Sequence, residues 1–279
     1  MNKIPLFLLL CFFINSYADT ISPESHQQPL TLGFFPLIST VALYKRFYPL
    51  RDYLSETLDR EVLLLTAKDF PTFVKRTSER AYDIVITAPH FAVSASDSGK
   101  YRIRSTLLKD VQQLIVVNSD SSISGINQLA GKRIGTPPEG ALMTLMGKKY
   151  LQEAGLVEEK APVYRAFTSH NAANKALLGN EVDAAIASTN IIRQAIQRGE
   201  PLKIISHGLK LPNMAMLVAT DKDALIGDKL VQVTVAMSKT EKGKDVLAQI
   251  KFPGFRAVSA ADYEVARPYM EQARVMSRL

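Results

Sequence analysis

Short apolar runs alternate along the chain with longer stretches whose apolar positions recur every three or four residues, and this pattern predicts strands interleaved with helices. Residues 30–35 form the first strand. From Val41 onward Leu43, Phe47, Leu50, Leu54 and Leu58 share one helical face with charged residues between them, and Pro49 is expected to kink or split that helix. The theme repeats as strand 62–66, helix 70–80, strand 82–87, helix 91–98 and strand 101–107, with a further apolar strand at 113–117. Ser119-Asp120-Ser121-Ser122 then reads as a polar turn where the chain can cross into a second unit. Beyond it the pattern predicts helix 126–130, strand 133–136, helix 141–153, strand 162–166, helix 171–178, strand 182–187, helix 191–198 and strands 202–206 and 214–220. A helix around 228–239 and a helical stretch after Ala260 complete the chain.

Such alternation argues for an α/β protein with mixed, mostly parallel sheets covered by helices. No fixed-period repeat is present, which argues against solenoids and propellers. A length of 279 residues suits two lobes, and two short crossovers near 112–118 and 210–218 would join them. The first lobe is then 30–112 plus 218–279 and the second 113–217. Two lobes on two crossovers leave a cleft between them.

The N-terminus changes the picture. Lys3 precedes an apolar run over 4–14, and Ser16-Tyr17-Ala18 is a small-x-small cleavage pattern, so residues 1–18 read as a signal peptide and Asp19 as the mature N-terminus. The run is too short for a membrane span, and the expected location is the periplasm. Residues 19–29 are polar and Pro-containing, a disordered lead-in. The single cysteine, Cys11, lies inside the leader, so cleavage leaves no thiol for disulfides or catalysis. Leu8-Leu9-Leu10 before Cys11 departs from the small residues that precede a lipid anchor. The net charge of +7 falls to +6 once Lys3 is removed, and the basic residues are scattered rather than gathered in a stripe. Scattered charge argues against nucleic acid and fits an anionic solute or a negatively charged membrane partner better.

Five segments, taken in order, carry a resemblance: Thr31-Leu32-Gly33-Phe34-Phe35-Pro36, Tyr82-Asp83-Ile84-Val85, Leu114-Ile115-Val116-Val117-Asn118-Ser119-Asp120, Gly131-Lys132-Arg133-Ile134-Gly135 and Gly254-Phe255-Arg256. Together they resemble the phosphonate/phosphite/phosphate-binding family of periplasmic solute-binding proteins, over nearly the whole mature chain. The resemblance implies a type II periplasmic-binding-protein fold whose lobes close on a ligand about a hinge of two crossovers. It also implies delivery of a small polar solute to the permease of an ABC importer. Some relatives of this fold report instead to a membrane sensor kinase, which is the alternative role. A monomer is the expected state.

Ligands of α/β clefts sit beyond the C-terminal ends of strands, where loops lead into helix N-termini. The first such loop offers Phe35, Pro36 and Thr40, with Ser39 or Thr40 also placed to cap the following helix. The second carries Thr87 and His90, matching a loop with an aromatic or polar ligand contact in the family, while Tyr82 serves the sheet. The third runs through Glu139, Gly140 and Ala141, where phosphonate binders resemble one another in a hydroxyl-rich helix start. Here the pattern departs: a carboxylate at 139 repels an oxyanion while complementing an amine, although it also suits the positive end of a helix dipole. The fourth holds Ser169 and His170, similar to a polar segment that reaches ligand in the family, with Ser169 equally suited to cap a helix. Ser188, Thr189 and Asn190 supply hydroxyl and amide donors in the fifth, and Asn213 lies at the second crossover.

Catalysis finds little footing in these residues. The mature chain has no cysteine, no Gly-x-Ser-x-Gly elbow, no phosphate-binding Gly-rich loop ending in Gly-Lys-Ser/Thr and no His-Glu-x-x-His helix. His90, His170 and Glu139 are metal-ligand types that facing lobes can bring together, but dispersed ligand types occur by chance in most chains of this length. The reading is therefore a binding protein with no metal, no cofactor and no reaction of its own.

Overall fold

The computed structural model describes residues 28–276, with side chains to Glu271; the expected signal peptide at 1–18, Cys11 and most of the lead-in at 19–29 lie outside the described residues. The first sheet gathers β1 (Leu30–Phe34), β2 (Val62–Leu65), β3 (Ile84–Thr87) and β4 (Tyr101–Leu107) with β10 (Ala215–Ala219) and β11 (Phe255–Ala257), in the order β11-β4-β10-β3-β1-β2. The second holds β5 (Val111–Asn118), β6 (Arg133–Thr136), β7 (Val163–Ala166), β8 (Ala184–Ser188) and β9 (Leu202–Leu211), in the order β7-β6-β8-β5-β9. Helices α1 (Thr40–Leu58), α2 (Phe70–Ser78) and α3 (Pro89–Asp97) follow β1 to β3. In the second sheet α4 (Leu142–Glu153), α5 (His170–Leu178) and α6 (Thr189–Gln197) follow β6, β7 and β8. The chain closes with α7 (Thr220–Lys222), α8 (Asp228–Ala236), α9 (Glu241–Ile250) and α10 (Arg267–Met276).

Both sheets are mixed. Pairings β1–β2, β1–β3, β6–β7 and β6–β8 are parallel, while β10 against β3 and β4, β11 against β4, and β5 against β8 and β9 are antiparallel. The antiparallel share is larger than strand–helix alternation predicts, because β5 and β10 arrive directly from the other sheet without a helix. Those two passages are residues 108–110 and 212–214. The second falls within the expected 210–218, whereas 112–118, expected to be the first passage, belongs to β5 itself. By sheet membership residues 111–112 join the second lobe and 215–217 the first. The turn at 119–122 ends β5 inside the second sheet rather than leading into it.

Other departures are local. Helix α1 runs without interruption through Pro49, since its buried face of Leu43, Phe47, Leu50, Leu54 and Leu58 is fixed against the first sheet. The hydrogen bond Pro49 cannot donate would go to the carbonyl of Lys45, an exposed residue whose carbonyl water can serve. The helix expected near 228–239 is α8 and a 3-10 turn, and α9 follows as a separate helix capped by Thr240, whose side chain accepts from the Gly243 amide. Residues 126–129 form one 3-10 turn rather than a helix.

The core sits in three layers. Leu32, Phe34 and Ile84 pack with Phe47, Leu54, Leu230 and Ile250 on one face of the first sheet. Leu114, Val116, Leu177, Val182 and Ile192 fill the matching face of the second. The third cluster is common to both lobes: Val85, Tyr101 and Leu217 of the first are continuous with Ile115, Ile134, Leu145 and Ile186 of the second, joined by Tyr269 and Met270 of α10. Helix α10 packs on both α3 and α4. Tyr82 lays its ring over Gly33 of β1, and its carbonyl accepts from the Tyr101 hydroxyl at 2.9 Å, consistent with its expected role in the sheet.

Candidate functional site

Between the sheets lies an open cleft of about 1920 Å³. Pockets that enclose drug-sized ligands measure roughly 300–1,000 Å³, so this cleft is wider than a small solute fills. The N-cap residues of α1 to α6, namely Ser39, Asp69, Ala88, Ala141, Ser169 and Ser188, all line this cleft. The reason is topological: each helix follows a parallel strand, and the parallel strands of each sheet end on one side.

The caps fall into two groups. Asp69 accepts from the Thr72 amide at 2.8 Å and Ser169 from the Ala172 amide at 3.1 Å, so those side chains satisfy their own helices. Ser39, Ala88, Ala141 and Ser188 make no side-chain cap bond. Their helices therefore turn uncapped backbone N–H groups and the positive end of the helix dipole toward the cleft. This arrangement can receive oxygen atoms of an anion from several directions.

Charge on the walls reinforces it. Lys68, Lys75, Lys109, Lys175, Arg198 and Lys251 line the cleft against only Asp69, Glu139 and Glu200. Each of those carboxylates is engaged: Asp69 as a cap, which holds its carboxyl below the usual range, Glu139 with Lys148 at 2.6 Å and Glu200 with Arg198 at 2.7 Å. Lys109 and Lys175 have no ion pair among the described residues. Glu139 lies ahead of α4 rather than in its first turn, so its partner is the Lys148 ammonium and not the helix dipole. Its repulsion of an oxyanion is correspondingly offset.

The residues expected from sequence divide sharply. Phe35, Pro36, Glu139, Gly140, Ala141, Ser169, His170, Ser188, Asn190 and Asn213 line the cleft. Ser188 is only 8% exposed with a hydroxyl free of capping duty, while Asn190 is exposed. His170 keeps its Nδ1 enclosed without a partner, and desolvation pushes its pKa down to about 4, so the ring is neutral at pH 7. Asn213 braces the hinge: its side-chain amide donates to the Lys109 carbonyl at 3.0 Å, tying one crossover to the other, and its own carbonyl accepts from Tyr263 at 2.8 Å.

Thr40, Thr87, His90 and Thr189 are not on the cleft wall. Thr40 is the first residue of α1 and faces solvent, one position past the cap. Thr87 is 1% exposed with its hydroxyl enclosed inside the end of β3. Thr189 donates to the Gln112 carbonyl at 3.3 Å, which anchors α6 to β5. His90 is turned inward by the first turn of α3, leaving Pro89 and Phe91 to face the cleft. Fully buried, it packs on Phe91 at 3.9 Å between ring centroids and its Nε2 lies 3.3 Å from the Gly140 carbonyl of the other lobe. Burial pushes its pKa down to about 4, with the Gly140 contact acting the other way. His90 thus joins the lobes. Among the described residues no group of three or more His, Cys, Asp or Glu is arranged to hold a metal.

Sequence reasoning missed Phe70, Phe91, Lys109 and Lys175. The signal was available for Phe70, because the rule applied to loops after other strands applies equally to residues 66–69 after β2. No described helix is long and apolar enough to cross a membrane.

Comparisons with known proteins agree with this geometry. In solved structures the fold matches a Xanthomonas citri protein bound to ATP, with a TM-score of 0.75 at 17% identity, covering 89% of this chain and 99% of that one. PhnD1 from Prochlorococcus marinus in complex with methylphosphonate also gives 0.75, at 19% identity over 88% of this chain and 98% of that one. The binding protein component of an ABC phosphonate transporter from Pseudomonas aeruginosa gives 0.70, at 17% identity over 90% and 86%. These likenesses show the type II fold. Residues 32–263 match the sequence model described as ABC transporter, phosphonate, periplasmic substrate-binding protein, and the chain belongs to that family.

Proposed function

We propose that this chain captures a small phosphonate- or phosphate-like anion between its lobes in the periplasm and hands it to the permease of an ABC importer, as a monomer and without transforming it. The observation that carries this reading is the convergence of six helix starts on one cleft, four of them without a side-chain cap, beside Lys109 and Lys175. The methylphosphonate bound by the Prochlorococcus relative is the same class of ligand. In this reading Ser188, Asn190, Ser169 and His170 supply donors from the second lobe and the backbone around Phe35 and Pro36 supplies them from the first. Glu139, Gly140 and Ala141 form the rim, and Asn213 sets the hinge. No observation favours a sensor-kinase partner.

Calorimetric titration of the purified protein with phosphate, phosphite, methylphosphonate and small amines is expected to give one tight anionic ligand. Flat titrations on folded protein would overturn the proposal. Ser188→Ala and His170→Ala are each expected to weaken that ligand about 10-fold or more, the loss of one hydrogen bond to a charged group, while thermal unfolding stays close to that of the parent. The leader is proposed to be residues 1–18. N-terminal sequencing of the exported protein is expected to begin at Asp19, and a retained Met1 would rule out cleavage there.

A further inference from the structure

We infer that the preferred ligand is an oxyanion bearing an apolar, ring-sized substituent, and that Phe35, Phe70 and Phe91 hold that substituent. The inference rests on the proposed binding of an anion in this cleft and specifies the rest of the molecule.

The charged features described above occupy only part of the cleft. Phe35 stacks on Phe70 at 4.4 Å between centroids with planes 22° apart, and Phe91 tilts against Phe35 at 5.7 Å. Phe73 closes the cluster from behind, edge-on to Phe35 at 5.8 Å and 1% exposed. Phe70 and Phe91 are half-buried cleft residues, so each leaves ring surface turned to the gap. The position of Phe70 is fixed by its neighbours: Asp69 caps α2 and Pro71 presets the backbone, so the ring is held at the mouth of the helix.

Opposite stands the start of α4. A Cβ built on Gly140 would sit 4.0 Å from Cδ2 of Phe70, so the aromatic cluster reaches across to the other lobe. Ala141, Leu142 and Met143, which follow there, line the cleft with no hydroxyl, amide or charge on any side chain. Ala141, Leu142 and Met143 are themselves buried, so the apolar surface this end of the cleft offers is the open ring faces of Phe70 and Phe91, beside the point where Phe70 meets Gly140. A compact headgroup such as methylphosphonate leaves it wet, and closure would then bring apolar walls together around water. An aromatic or similar ring covers it, removes its own surface and that of Phe70 and Phe91 from water, and can stack on Phe70 in offset geometry.

Titration with methylphosphonate and phenylphosphonate tests this. Phenylphosphonate is expected to bind on the order of 30-fold more tightly, from the added apolar burial. Phe70→Ala is expected to narrow that ratio at least fivefold, and Phe91→Leu provides a second variant that keeps an apolar side chain. Methylphosphonate binding as tightly as phenylphosphonate, or an unchanged ratio in both variants, overturns the inference and leaves the anion reading standing. Failure of both phosphonates together with phosphate and phosphite overturns the anion reading and this inference with it.

Discussion

Replacing Gly33 with alanine is expected to destabilise the protein by about 3 kcal/mol, the upper end of what overpacking a filled core costs. A Cβ at this position falls 2.5 Å from Cδ2 and Cγ of Tyr82 and 2.8 Å from Cδ1. The obstacle is the stiff root of a ring, not a flexible tip. Tyr82 is 1% exposed, stacks on Phe73 at 5.3 Å, and its carbonyl holds the Tyr101 hydroxyl, so the ring has nowhere to retreat. Phe73 in turn backs Phe35, and the same substitution should therefore loosen the aromatic wall of the cleft. Urea unfolding at pH 7 measures the effect. An unfolding midpoint equal to that of the parent would show that the ring can move.

The second large effect is acid sensitivity centred on His90. The unfolded value is about 6.5 and burial lowers the folded value to about 4. The folded state therefore requires the neutral ring, and between these values the unfolded chain binds a proton that the folded chain refuses. Stability from this group is complete above pH 6.5, declines as pH falls, and is exhausted near pH 4, a total on the order of 3 kcal/mol. Denaturant titrations at pH 7, 6, 5 and 4.5 are expected to show a falling midpoint, with a shallower slope in His90→Gln. His170 is lowered to about 4 by the same cause and accounts for part of the slope that remains. Equal slopes in the two proteins would remove His90 as the source. The Gly140 carbonyl across the cleft favours the charged ring, so the penalty for protonation comes from burial and not from this contact between lobes.

Much of the architecture was legible because each buried element carries its own periodicity. The face of α1 from Leu43 to Leu58 and the Ala-rich β8 could be read locally, and the strand-to-helix loops pointed to the right side of each sheet. What was not legible depends on partners distant in sequence. That β10 pairs antiparallel with β3 and β4, that β9 extends to Leu211, and that β11 exists at all are set by strands about 85 to 150 residues away. Site residues followed the same division. Loops were found, but the direction of a side chain within a loop was not: His90 and Thr87 turn inward, Thr40 turns out, and Phe91 takes the place assigned to its neighbour. Phe70 read as one more apolar residue of a helix face, because a ring that guards a cleft and a ring that fills a core look alike in sequence.

The cluster shared by both lobes, with Tyr269 and Met270 set between α3 and α4, bears on how the molecule comes apart. Neither half has a complete interior of its own, and melting one exposes apolar surface on the other. Heating should consequently produce a single cooperative calorimetric peak rather than two separable ones. It also means that shortening the chain before residue 267 withdraws a seam common to both halves, and each would lose order together.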